Sequence, residues 1–308
     1  MVQAGGMDTV GRFAPSPTGP LHLGSLVAAV GSWALARRAR GMWLLRMEDL
    51  DTPRVVPGMA DDILRTLEVL GLTWDGEIVW QSRRTDAYQA ALEELRRRGA
   101  VYPCGCSRAE IARIASAPHG DGELVYPGTC RSGLPPGKEP RAFRVRVGEG
   151  AVCFSDTVQG EQCQELARAC GDFVVKRADG PFAYHLAVVV DDAAAGVNQV
   201  VRGADLLAST PRQIFLLQLL GLPTPTYAHL PLVTGPAGAK LSKRDNAVSL
   251  AAGRDLGRDG GRLLLAALRF LGQDPPLLPH ASCAEILAWT RATFDPARVP
   301  RLPASLVL

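Results

Sequence analysis

Lysine is scarce in this chain, and half of it falls in one place. Of 34 basic side chains in 308 residues, only Lys138, Lys176, Lys240 and Lys243 are lysines. Lys240-Leu241-Ser242-Lys243-Arg244 therefore holds two of the four. Arginine is a planar, bidentate cation, whereas lysine is a compact charge on a flexible stem, suited to following a phosphate as it moves. Far upstream, Pro17-Thr18-Gly19-Pro20-Leu21-His22-Leu23-Gly24-Ser25 places an imidazole just ahead of a helical pattern. A helix N-terminus offers unpaired N–H groups and a positive dipole end, which together make a phosphate site. His22 there could donate to phosphate oxygens as charge moves onto pyrophosphate. Gly24 would let an adenine or ribose pack against bare backbone.

A second chemical cluster is made of thiols. Cys104-Gly105-Cys106 followed by Cys130 supplies three thiolates, and tetrahedral zinc wants four ligands. On chemistry alone the fourth would be His119, the nearest histidine, or water. Cys153, Cys163 and Cys170 lie outside this spacing and read as small apolar residues. The total of seven cysteines is odd and comes without secretory features, which favours a reducing compartment with thiols free or metal-bound.

These groups need elements to hold them. Val10 to Ala14 reads as a buried strand, followed by a proline-punctuated loop and a helical pattern ending in Arg37, Arg38 and Arg40, cations that suit a helix C-terminus. Leu44 to Met47 reads as a second strand ending in Glu48-Asp49. Ala60 to Leu70 and Thr85 to Arg98 read as amphipathic helices. This alternation is the first half of a doubly wound parallel sheet, so an α/β fold is expected. From Val101 the character changes: six of the seven cysteines lie between there and about residue 175, among Gly/Pro stretches and short strands such as Phe143 to Val147. Ala183 to Val190 and Gln199 to Val201 read as buried parallel strands. Thr210 to Leu220 reads as a helix with Pro211 in its first turn. Leu230 to Val233 reads as a last strand, and Arg262 to Leu271 as a helix before a proline-rich tail. Four segments are expected: 8–100, first half of a nucleotide-binding domain; 101–180, an inserted zinc-containing subdomain; 181–245, the second half with the lysine loop; and 246–308, a short helical segment.

Composition narrows the class. A hydrophobic content of 47% is that of an ordinary folded protein. No apolar run approaches a membrane span, and Met1 to Val10 reads as a short disordered leader without the basic and apolar parts of a signal peptide. A cytoplasmic monomer without membrane contact is expected. The net charge of +3 permits a local nucleic-acid patch without demanding one.

Gly11-Arg12-Phe13-Ala14-Pro15-Ser16-Pro17-Thr18-Gly19 and Met47-Glu48-Asp49-Leu50-Asp51-Thr52-Pro53-Arg54 resemble glutamyl-tRNA synthetases of class I. Val201-Arg202-Gly203-Ala204-Asp205 and the lysine loop continue the resemblance in order, from about Gly11 to about Ala247. Full-length members carry a long helical anticodon-binding region after the lysine loop; here a short segment follows. That departure, and Gly24-Ser25-Leu26-Val27-Ala28-Ala29, resemble a truncated branch of the family. Its members activate glutamate and transfer it to the base queuosine in the anticodon of tRNA(Asp).

The resemblance implies a Rossmann-type class I catalytic domain. It implies ATP with Mg²⁺ as substrate, glutamate and queuosine-bearing tRNA(Asp) as further partners, and no covalent protein nucleophile. It assigns His22, Lys240 and Lys243 to catalysis, with His22, Gly24 and Lys243 at ATP. It assigns Arg12, Phe13, Ala14, Pro15, Ser16, Glu48, Tyr184 and Arg202 to the glutamate pocket. Such a pocket makes chemical sense: two arginines can each grip a carboxylate, and a glutamate can hold the ammonium. The resemblance also makes Tyr126 the fourth ligand beside Cys104, Cys106 and Cys130, a closed set that implies one structural zinc. Three competing functions are a shortened synthetase charging the tRNA terminus, an adenylate-forming enzyme loading a carrier protein or amine, and a non-enzymatic RNA-binding module.

Overall fold

A computed structural model describes residues 8–114, 125–234, 249–251, 253–276 and 281–306. The first part runs β1 (Val10–Phe13), α1 (Leu23–Arg38), β2 (Met42–Met47), α2 (Met59–Val69), β3 (Val79–Trp80) and α3 (Thr85–Arg97). The middle part runs β4 (Val101–Cys104), α4 (Arg108–Ile114), β5 (Ala142–Val145), β6 (Ala151–Asp156), β7 (Gly160–Glu165), α5 (Leu166–Ala169) and β8 (Val174–Lys176). Then come α6 (Tyr184–Ala194), β9 (Gln199–Gly203), α7 (Thr210–Leu220), β10 (Thr226–Leu230), β11 (Val233–Thr234), α8 (Leu256–Phe270), α9 (Cys283–Thr293) and β12 (Ala304–Ser305).

Strands β1, β2 and β3 pair in parallel, as do β9 and β10, while β6 joins β10 and carries β7 antiparallel at the edge. The two sheets meet along β1 and β9. Asn198 N–H donates to Val10 O at 3.1 Å, and Arg12 Nη1 donates to Val201 O at 3.3 Å. Chain order reverses across that seam, which is the place where open α/β sheets bind ligands.

Helix α1 crosses behind the seam. Its residues from Leu26 to Ala36 are almost all buried, so it is apolar on every face rather than on one stripe. The prolines of the preceding loop keep it from starting earlier, and Arg37 and Arg38 sit in its last turn. Gly31 lets it lie close to the sheet: a Cβ there would stand 2.5 Å from Leu230 Cδ1. Behind it, α8 and α9 complete the main core through Leu264, Leu268, Leu271 and Phe294.

The antiparallel sheet β4-β5-β8 belongs to the middle part. It shares an apolar cluster with α3, α6 and α7, joining Val145 and Val175 to Leu92, Leu186 and Leu216. The middle part is thus packed against α3, α6 and α7. A smaller cluster holds Tyr102, Cys104, Ile111, Tyr126 and Cys130.

Three sequence expectations are corrected. Ala183 to Val190 is not a strand; it falls in helix α6, whose apolar face and whose Asp191 and Asp192 are both buried. A short apolar run looks the same to the eye in a buried helix as in a parallel strand. Leu230 to Val233 is likewise not one strand, since Pro231 interrupts it and the pairing lies earlier, in Thr226–Leu230. Cys153 and Cys163 are not separate thiols: they face each other across β6 and β7 and form a disulfide. The expected leader lies largely outside the described residues. Among the described residues no helix is long and apolar enough to cross a membrane.

Candidate active site

At the seam a cavity of about 440 Å³ opens. Its walls include Arg12, Phe13, Ala14, Pro15, Ser16, His22, Gly24, Glu48, Tyr184 and Arg202, every described residue expected at the site. The expected Lys240 and Lys243, like His119, lie outside the described residues. The described residues on either side of the lysine segment reach this region: Val233 lines the cavity, and Leu250 N–H donates to Leu21 O at 2.9 Å.

The proline-rich loop is shaped by backbone bonds. Glu48 N–H donates to Pro15 O at 2.9 Å, and Val56 N–H donates to Pro17 O at 3.0 Å. His22 then caps α1: Ser25 N–H donates to His22 Nδ1 at 3.3 Å. With Nδ1 accepting, the proton of the neutral ring sits on Nε2, the donor form that a phosphate oxygen requires. Gly24 has a local reason as well, because a Cβ there would stand 3.1 Å from the His22 ring.

Arg12, on β1, is held by a carboxylate. Its Nε donates to Asp192 Oδ1 at 3.2 Å, and the same oxygen takes Arg46 Nη1 at 2.5 Å. Arg46 Nη2 in turn donates to Glu48 Oε1 at 3.1 Å. Burial alone would push the Asp192 carboxyl up, yet Arg12 and Arg46 hold it below the usual range. Burial pushes Glu48 up, and the pull of Arg46 and Arg12 only partly offsets it. Next door, Asp191 accepts from Gln81 Nε2 at 2.8 Å, Arg84 Nε at 2.5 Å and the Tyr88 hydroxyl at 2.7 Å. The charges on this side come in neutralised pairs, as buried charges must.

Arg202, at the end of β9, is held differently. Its Nε donates to His229 Nε2 at 3.1 Å and its Nη2 to Thr210 Oγ1 at 2.8 Å, with the Tyr184 hydroxyl 3.5 Å from Nη1. Its guanidinium carbon lies 5.8 Å from the centre of the Tyr227 ring. All these partners are uncharged. Burial lowers the His229 imidazole against the opposing pull of Asp156, so the ring is neutral. Burial also pushes the Tyr184 phenol up, which keeps it protonated. A cation with neutral partners presents its whole charge to a ligand carboxylate. Phe13 serves differently: its ring stacks on Trp43 at 6.0 Å and so braces β1 against β2.

The thiol cluster is distinct from this cavity. The sulfurs of Cys104, Cys106 and Cys130 all lie within 4.8 Å of one another. Tetrahedral zinc at about 2.3 Å from each sulfur needs sulfurs about 3.8 Å apart, and the Cys106 to Cys130 separation is 3.6 Å. The Tyr126 hydroxyl lies 3.4 Å from Cys104 Sγ and 3.6 Å from Cys106 Sγ. Burial, then the surrounding thiols, push that phenol up. The group is therefore neutral unless a cation draws its proton off. The residues fit a metal of zinc's size and preference for sulfur.

Sequence reasoning missed Arg46, Asp191, Asp192, His229 and Asp156. Four of them carried a signal. Arg46 interrupts an apolar strand, Asp191-Asp192 interrupts an apolar helix, and His229 stands within Tyr-Ala-His-Leu. A titratable residue inside an apolar run must find a buried partner. Asp156 carried none, since it ends β6 after Ser155, where a carboxylate reads as an ordinary solvated strand end.

Comparison with known proteins agrees with this geometry. Residues 9–276 match the family described as tRNA synthetases class I (E and Q), catalytic domain. A Geobacter sulfurreducens protein named glutamyl-Q tRNA(Asp) synthetase is 70% identical, over 96% of this chain and 95% of its own length. One of the same name from Dechloromonas aromatica is 56% identical over 97% of both chains. Among solved structures, a glutamate-tRNA synthetase from Elizabethkingia anophelis superposes with a TM-score of 0.81 at 26% identity, over 97% of this chain and 68% of that one. Paired arginines at the reversal point of a parallel sheet, and a match that runs through nearly the whole fold, make this chain a member of the class I tRNA synthetases, in the branch of the glutamate and glutamine enzymes.

Proposed function

We propose that this chain activates glutamate with ATP and transfers it to the queuosine base in the anticodon of tRNA(Asp). The observation that carries the reading is the pairing of Arg12 and Arg202 across one cavity, with Glu48 just past the end of β2 and His22 at the helix end. Free glutamate has two carboxylates and one ammonium; two arginines and one carboxylate match that pattern. The relatives named glutamyl-Q tRNA(Asp) synthetase support the choice of acceptor.

In the first step an oxygen of the glutamate α-carboxylate attacks the α-phosphorus of ATP. The bond to the bridging oxygen breaks, pyrophosphate leaves, and glutamyl-AMP forms. Such chemistry needs positioning and charge neutralisation more than covalent help. His22 donates from Nε2 to the phosphates; Lys243, with Lys240 assisting, follows the charge onto pyrophosphate. Mg²⁺ accompanies ATP. In the second step a hydroxyl of the queuosine cyclopentene diol attacks the glutamyl carbonyl and AMP leaves. The diol presents neighbouring hydroxyls as a terminal ribose does, and unstacked loop bases are the usual target of specific RNA recognition.

Cys104, Cys106, Cys130 and Tyr126 would hold one zinc, which would have a structural role. Removing the metal should destabilise the part around β4 and β5. Cys104→Ser should lose zinc by metal analysis. If Tyr126→Phe keeps zinc and stability while His119→Ala removes both, the fourth ligand is His119.

The decisive experiment supplies purified protein with ATP, labelled glutamate, and tRNA with or without queuosine, and then maps the label. Label recovered in the anticodon fragment after ribonuclease cleavage, and not in the 3′-terminal fragment, supports the reading. Equal labelling of tRNA lacking queuosine overturns it in favour of charging at the terminus. Without any tRNA, glutamate-dependent exchange between pyrophosphate and ATP is expected, with aspartate a poor substitute because it underfills one carboxylate site.

A further inference from the structure

We infer that Asp156 is a positioning residue for glutamate: through His229 it fixes which atom of the imidazole accepts, and so holds the Arg202 guanidinium in the orientation that meets a substrate carboxylate. This rests on the assignment of Arg202 to glutamate made above. The three residues lie on adjacent strands β6, β10 and β9. His229 stands directly beside Arg202 in the β9–β10 register, and Asp156 pairs with Tyr227 on the other side of β10. Asp156, His229, Arg202 and Thr210 are all buried.

Hydrogen-bond sense makes the row directional. Arginine has donors only, so the Nε–H that meets His229 Nε2 at 3.1 Å requires a lone pair there. A neutral imidazole carries one N–H, which must then be at Nδ1. Asp156 Oδ2 lies 2.6 Å from Nδ1 and, as a carboxylate oxygen, accepts it. The other oxygen, Oδ1, is already committed. It accepts backbone N–H groups of Val158 at 3.0 Å, Gln159 at 2.8 Å and His229 at 3.1 Å. These bonds prevent the carboxyl group from turning over. Arg202 Nη2 is taken by Thr210, whose hydroxyl proton has two acceptors within reach, His229 Nε2 at 3.0 Å and Leu206 O at 3.3 Å; either choice leaves Nε2 an acceptor. Two edges of the guanidinium are thus spoken for by the protein. The Nη1 end remains beside Tyr184, on the cavity wall that both residues line.

Asp156→Asn isolates the effect. The amide oxygen keeps the three backbone donors, so the amide NH₂ must face His229 Nδ1. The ring proton then moves to Nε2 and meets Arg202 N–H head-on. A change of one atom reverses the tautomer without changing shape, the same logic by which a catalytic triad fails when its aspartate becomes asparagine. Thr210 Oγ1, 3.0 Å from Nε2, can accept that proton, but Arg202 Nε–H is left without its acceptor and the guanidinium loses its hold on the strand.

The test measures pyrophosphate exchange with the full-length protein, varying glutamate and ATP separately. Asp156→Asn should raise the glutamate KM at least tenfold and leave the ATP KM within about twofold. His229→Gln should recover most of the glutamate affinity, because its amide can offer oxygen to Arg202 and NH₂ to Asp156; His229→Leu should not. Nitrogen-15 NMR of histidine-labelled wild type should place the His229 proton on Nδ1. A proton on Nε2 in the wild type, or an unchanged glutamate KM in Asp156→Asn, overturns the inference. Arg202→Ala separates it from the underlying reading. If that variant leaves the glutamate KM unchanged, the reading of Arg202 fails and the inference with it. If it raises the KM while Asp156→Asn does not, only the inference fails.

Discussion

Arg12 and Arg202 line the same cavity with the same functional group, but the protein holds them in opposite ways. Arg12 leans on Asp192, which it shares with Arg46, and Arg46 also serves Glu48. Arg202 leans on an imidazole, a hydroxyl and a ring face, and the carboxylate of Asp156 acts on it through His229. The first arrangement is a closed set of compensated charges, so its integrity is a matter of folding. The second keeps a cation whose field is unspent, so its integrity is a matter of binding. One pocket can in this way divide stability and recognition between its two walls.

The largest expected effect tests the closed set. Arg46→Ala leaves Asp192 and Glu48 buried without their shared partner, and should cost about 3 to 5 kcal/mol of stability. Urea unfolding measures it; a loss under 1 kcal/mol would mean that these carboxylates find other partners. Next is a variant that should leave both walls intact. Lys243→Ala should slow adenylate formation by about two to three powers of ten with glutamate affinity nearly kept. Single-turnover measurement at saturating glutamate gives the rate, and unchanged turnover would remove the lysine segment from the chemistry.

Arg202→Ala loses the charge-assisted bonds to substrate and should weaken glutamate binding about 100-fold. Its stability should fall less than that of Arg46→Ala, because only neutral partners are left behind. Equal losses of stability in the two variants would erase the contrast between the walls. Arg202→Lys should recover little, since an ammonium cannot reproduce the fork.

The smallest effect is in pH. Burial alone would raise Asp156, but His229 and backbone N–H groups hold it at about 2. A depressed carboxylate stabilises the fold above its ordinary value near 3.8, and that contribution fades as pH falls toward 2. The lowered His229 adds a loss in the same direction, beginning as pH drops below 6.5. Glu48 has the opposite sign: its raised value stabilises the fold below about 4.5, and the contribution fades as pH rises. Unfolding midpoints across pH 2 to 7 should therefore flatten on the acid side in Asp156→Asn and change on the other side in Glu48→Gln.

Much of the site was legible because it lies at chain punctuation. Arg12, Glu48 and Arg202 end strands, and His22 precedes a helix, so a reading by elements brings them to one edge of the sheet. What sat inside elements was harder. Asp191 and Asp192 were hidden because Ala183 to Val190, just before them, was taken for a strand, which left the two carboxylates in the connection after it instead of in the last turns of a helix. As helix residues they lie one turn beyond the apolar face and reach Arg84, Arg46 and Arg12 together. Asp156 could not be found by pattern at all, because its meaning depends on β6 lying next to β10, a pairing made across about seventy residues. The Cys153–Cys163 bond was missed for a related reason: facing positions in a hairpin are known only once its register is known.

Gly31 sets a dimension of the whole site. It lies midway along the helix that begins at His22, and it touches Leu230, the residue after His229. The thickness of one missing methyl group thus fixes how far the His22 end of α1 stands from the strand that steadies Arg202. On the proposed reading, that spacing is the clearance between the ATP and glutamate sites, and Gly31 sets it as a shim does. A larger residue there would touch neither substrate, yet it would widen the separation across which the carboxylate oxygen must reach phosphorus.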